Sequence, residues 1–156
     1  MKTLVFAIAA LTFSVVCTSG CAPDTSSTPK AGAAMPSSVV DPYLKISSAL
    51  ASDSLDGVRA NAGDLATAAT ALGAPAMKID TSALQVASAT EIEDAREKFA
   101  RLSDAIVAYM DGLKLTLPDD VRVAVCPMKQ KPWLQEGSDI KNPYYGSSML
   151  TCGDFR

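Results

Sequence analysis

No histidine occurs anywhere in the 156 residues. That absence excludes the Ser-His-Asp and Cys-His catalytic arrangements, the HExxH zinc enzymes and the two-His-one-carboxylate iron site, all of which need an imidazole as base or ligand. Phosphate-cradling loops of the forms GxGxxG, GxxxxGKS or GxxxxGKT are missing, as is an EF-hand loop. Basic charge is in short supply: 14 Lys and Arg stand against 17 Asp and Glu. With no basic excess to neutralise phosphates, no nucleic-acid partner is expected. The two cysteines of the folded part are separated by 25 residues. A thiol oxidoreductase, which normally uses a Cys-x-x-Cys pair, is therefore the weakest of three readings, and no enzyme is expected.

What is present begins with a leader. Lys2 supplies one positive charge, and residues 4–16 are uncharged and mostly apolar. This is the n-region and h-region of a secretory signal, too short for a comfortable membrane span. Thr18-Ser19-Gly20-Cys21 follows and resembles a bacterial lipoprotein signal, with Cys21 as the lipidated first residue; ordinary cleavage nearby is the alternative. Either way the product is exported. With Ala22, uncharged, after the anchor, sorting to the outer rather than the inner membrane is expected, on the periplasmic side. Residues 1–20 are thus a signal peptide, and their loss leaves 13 basic against 17 acidic residues. Residues 21–40, rich in Ser, Thr, Pro and Ala, read as a flexible tether. Residues 41–156 are long enough for one domain with one core.

Asp41-Pro42 predicts a helix start, with Asp as cap and Pro in the first turn. Leu55, Val58, Ala62, Leu65, Ala69 and Leu72 repeat at three- and four-residue spacing, and Gly73 with Pro75 ends that helix. A short helix is expected near 80–89. Thr90 with Glu93 predicts a capping box opening the best helix, whose stripe runs through Ile92, Ala95, Phe99, Leu102, Ile106, Tyr109 and Leu113. The period then changes to two over 121–126, an edge or short strand, and the tail 150–155 is a candidate to pair with it. The fold class expected is mainly α (α+β): an antiparallel three- to four-helix bundle followed by a short, hairpin-like, loop-rich cap.

The cap, residues 121–156, carries the chemistry. Cys126, Met128, Met149 and Cys152 lie at its two ends, with Trp133, Tyr144 and Tyr145 between. Thiolate with thioether is a donor set for Cu(I) or Ag(I) and unlike the usual zinc ligands. The same methionines are also ordinary core filler. The same cysteines can instead form a Cys126–Cys152 disulfide, closing a loop of about 27 residues and stabilising by about 3.5 kcal/mol in the chain-entropy model. Trp133, Tyr144 and Tyr145 read as the small core of this segment, or as ring faces over a bound cation.

Cys126-Pro127-Met128, Trp133-Leu134, Ile140-Lys141-Asn142-Pro143-Tyr144-Tyr145-Gly146 and Met149-Leu150-Thr151-Cys152-Gly153 occur in that order, after Arg96-Glu97-Lys98-Phe99-Ala100-Arg101-Leu102-Ser103. Together these segments resemble the uncharacterised domain found alone in small bacterial envelope lipoproteins and appended to periplasmic adaptor subunits of copper- and silver-efflux pumps. The resemblance implies a membrane-tethered module in soft-metal efflux or homeostasis, with pump components as partners. The alternative is a structural or adaptor domain of the envelope whose cysteines are disulfide-bonded and hold no metal.

Overall fold

Apolar residues at helical spacing form α1 (Ser37–Ala51), α2 (Val58–Ala71), α3 (Met77–Ala87) and α4 (Ile92–Leu113). The computed structural model describes residues 28–156, so the leader, Cys21 and the first part of the tether lie outside it. The helices pack in chain order, each on the next, and α1 also touches α4. The expected stripes are the ones buried: Val58, Ala62, Leu65 and Ala69 on α2, and Ala95, Phe99, Leu102 and Ile106 on α4. Sealing a side chain the size of Phe99 or Leu65 from water contributes roughly 1.5–3 kcal/mol. The expected mainly-α bundle with a small β cap is the fold observed. Among the described residues no helix is long and apolar enough to cross a membrane.

Two boundaries differ from expectation. Residues 28–40 are not free tether. The Met35 N–H donates to the Thr116 carbonyl at 2.8 Å, and the Gly32 N–H to the Leu113 carbonyl at 3.1 Å. Met35, Val39 and Val40 are buried. Three apolar anchors outweigh the Ser/Pro/Ala composition around them and strap this segment across the end of α4. Helix α1 accordingly starts after Pro36, and Pro42 stands inside it. The Thr90 capping box does not form either. Glu91 is the N-cap, without a side-chain cap bond, and the Glu93 carboxylate accepts from the Arg96 guanidinium at 2.9 Å instead of reaching back to Thr90.

The sheet has three strands in the order β2-β1-β3, all antiparallel: β1 (Val121–Cys126), β2 (Lys131–Glu136) and β3 (Asp154–Phe155). Strand β1 is central rather than an edge. The tail does pair with it, through Ala124 with Phe155 and Val125 with Asp154, over two residues only. Strand β2, not foreseen from the sequence, contains Pro132, which has no N–H to give a ladder. As an edge strand it tolerates that proline.

Candidate functional site

The antiparallel pairing of β3 on β1 carries the C-terminal sulfurs to the end of β1 where Cys126 sits. Continuing the register from Val125–Asp154 puts Gly153 opposite Cys126, with Cys152 the next residue. The turn joining β1 to β2 starts at the same end, closed by the Gln130 N–H donating to the Cys126 carbonyl at 2.7 Å, with Gln130 in the left-handed region. Met128 stands at the tip of that turn, 66% exposed. Met149, half-buried, precedes Cys152 in a turn closed by the Cys152 N–H donating to the Met149 carbonyl. That end of the sheet therefore carries Cys126, the turn with Met128 and the approach of Cys152, with Met149 three residues before Cys152 in the chain. Cys126 is fully buried, its Sγ accepting the Lys129 N–H at 3.4 Å, while Cys152 is partly open. Both thiols are free, so the Cys126–Cys152 disulfide is not formed in this structure.

Trp133 and Tyr144 are core residues, 0% and 2% exposed. Tyr43 of α1 stacks on Phe99 of α4 at 4.9 Å, Phe99 meets Tyr144 at 6.1 Å, and Tyr144 meets Trp133 edge-on at 5.8 Å. The bundle and the cap thus share one aromatic core. Gly153 completes it: a Cβ there would lie 2.5 Å from the Trp133 ring, so only glycine lets the returning chain lie against the indole. Tyr145 is half-buried at the edge of this core. The cation that lies over a ring in the cap is the protein's own Arg122, 5.4 Å from the centre of Phe155.

Polar bonds hold the cap in place. Asn142, fully buried, accepts the Tyr144 N–H at 2.8 Å and donates to the Cys152 carbonyl at 2.6 Å. The Tyr43 hydroxyl bonds Ser103 at 2.6 Å and accepts the Leu134 N–H at 3.2 Å. Burial raises the phenols of Tyr43 and Tyr144 well above their usual range, keeping both protonated. Gln135 accepts both the Trp133 indole N–H and the Lys141 N–H, fixing the loop that follows β2.

The strongest tie was not anticipated from sequence. Arg96, 5% exposed, forms an ion pair with Asp53, donates to the Leu50 carbonyl at 3.0 Å and to the Pro143 carbonyl at 3.3 Å, and pairs with Glu93. Asp53 also accepts the Ser147 N–H at 3.0 Å. Hydrogen bonds from Ser147 first, then from the Arg96 guanidinium, hold the Asp53 carboxyl down at about 2. One buried guanidinium thus joins the end of α1, α4 and the cap. The available signal was Arg96 itself, a charge lying between Ile92 and Phe99 on the apolar side of α4. A second tie is a row of acids seven residues apart on α4, Glu97, Asp104 and Asp111, paired with Lys129, Lys131 and Arg156 of the cap. Such exposed pairs contribute about 0–1 kcal/mol each and mainly set the cap's position.

No cluster of three or more His, Cys, Asp or Glu suited to a metal ion occurs among the described residues. The soft donors of the cap are the free thiols of Cys126 and Cys152 and the thioethers of Met128 and Met149.

No curated protein and no solved structure matches the chain. One family model does, described as "Protein of unknown function (DUF3347)", over residues 39–116. The match begins within α1, runs through the end of α4 to residue 116, and stops before the sulfur-bearing cap. Covering half of the 156 residues, it shows that the chain belongs to the DUF3347 family.

Proposed function

We propose that the chain is a membrane-tethered envelope module that holds a soft metal ion, Cu(I) or Ag(I), for efflux or homeostasis. Its ligands are the thiolates of Cys126 and Cys152, with the thioethers of Met128 and Met149 completing the set. The observation that supports this reading is the β3–β1 register, which sets Cys126 opposite Gly153, the residue after Cys152, with both thiols free and Met128 exposed in the adjoining turn. Support from sequence comes from the export leader, the Cys21 lipobox-like context and the resemblance to a domain fused to copper- and silver-pump adaptors. Buried Cys126 requires the turn at 127–130 to open for a metal to enter, so loading is expected to be slow beside that of an exposed thiol pair.

The test is a thiol count on protein taken from the envelope under alkylating quench. Two reactive thiols that Ag(I) protects from alkylation support the metal reading. Two thiols that Ag(I) leaves unprotected contradict it. A second reading is favoured by the burial of Cys126 and its register beside Cys152: an adaptor domain whose cysteines close as a staple. It predicts no reactive thiol until a reductant is added. The anchor is tested separately: Cys21→Ser should release the protein from the membrane fraction, and palmitate labelling that persists in the variant would refute lipidation at that residue.

A further inference from the structure

Residues of α3 and α4 line a groove of about 800 Å3 on the flank of the bundle. Arg101, Asp104, Ala105 and Ala108 line its α4 wall at three- and four-residue spacing. The alanines are too small to fill the space. Ala74 and Pro75 close one end, and Met77, 62% exposed, stands on the α3 wall.

Two observations point to a ligand. Tyr109 lines this groove and is only 7% exposed, yet its hydroxyl has no hydrogen-bond partner among the described residues. Buried hydroxyls are normally paired, and leaving one unmet is unfavourable. The groove's charges are also unbalanced. The Asp104 carboxylate is taken by Lys131 at 2.5 Å, whereas Lys78 and Arg101 form no ion pair among the described residues. What remains is an apolar slot with two unmatched cations and one hydroxyl in need of a partner.

We propose that the groove binds an amphipathic organic anion, a carboxylate on an unbranched apolar chain. The chain lies against Met77, Ile79, Ala105 and Ala108. The carboxylate accepts the Tyr109 O–H, and Lys78 and Arg101 balance its charge. This site shares no residue with the proposed sulfur site, although its Asp104 pairs with Lys131, the register partner of Cys126, and the proposal does not rest on metal binding.

The experiment is calorimetric titration of the protein with dodecanoate below its micelle concentration, followed by amide chemical-shift mapping. One saturable site with shifts on α3 and α4 is expected. Ala108→Phe, a change at an exposed groove residue, should abolish binding while leaving the melting temperature near that of the parent. Tyr109→Phe should weaken binding about tenfold, a single hydrogen bond's worth, without loss of stability. The proposal is overturned by absence of saturable binding, or by dodecyltrimethylammonium binding as tightly as dodecanoate. Equal affinity in Ala108→Phe overturns it too. So does equal affinity in Tyr109→Phe, since the hydroxyl would then be met by water alone.

Discussion

Gly146 and Asp53 are pressed so closely together that no side chain fits between them: a Cβ on Gly146 would overlap both the Asp53 carboxylate and the Arg96 guanidinium. Gly146 also holds φ at +53, in the left-handed region. Gly146→Ala should therefore destabilise by roughly 1–3 kcal/mol through overpacking alone, read as a lower melting temperature. The loss should be smaller when Asp53 is first shortened to Ala, because one of the two clash partners is gone and the guanidinium is freed to move. Equal losses in both backgrounds would show that backbone strain or the Arg96 guanidinium, not the carboxylate, sets the cost.

The same carboxylate gives an acid signature. Asp53 moves from 3.8 to about 2 on folding. A depressed folded value contributes stability above the unfolded value, and this is lost as pH falls through the folded one. The stability difference between the parent and Asp53→Asn should thus be full at about pH 5 and shrink on the way to about pH 2. Denaturant titrations at these two pH values check it. A difference that stays constant would mean that the carboxylate's charge is not what holds the cap.

Tyr43→Phe removes one hydroxyl that serves both Ser103 and the Leu134 N–H. Leaving those buried groups unmet should cost about 1–3 kcal/mol. Hydrogen exchange at Leu134 should accelerate ahead of exchange in α2. Unchanged exchange at Leu134 would show that the bond carries no load.

Phe99→Asp and Leu65→Asp place an unpaired charge at fully buried positions and should unfold the bundle. Circular dichroism would show loss of helix at room temperature. Either variant melting within a few degrees of the parent would contradict the assigned core faces.

The helices were legible because each stripe is local: Leu65, Phe99 and Ile106 reveal their faces through spacing alone. The pairing of β1 with the tail was legible in kind but not in extent, since two residues of β3 leave little pattern to read. Strand β2 was hidden by Pro132, and the strap at residues 28–36 by a composition in which Met35 is the sole large apolar residue. For the cap, sequence marked Trp133 and Tyr144 as core. It could not reveal Arg96–Asp53, whose members are 43 residues apart and meet only after the helices have packed.

The most direct measurement of the central claim is X-ray absorption on reduced protein carrying one equivalent of Cu(I). The account predicts sulfur-only coordination. It should weaken far more in Cys126→Ser or Cys152→Ser than in Met128→Leu or Met149→Leu, because a thiolate carries charge that a thioether lacks, and it should disappear on oxidation. Nitrogen or oxygen ligation, or Cu(I) held equally well by the Cys126→Ser and Cys152→Ser variants, would contradict it.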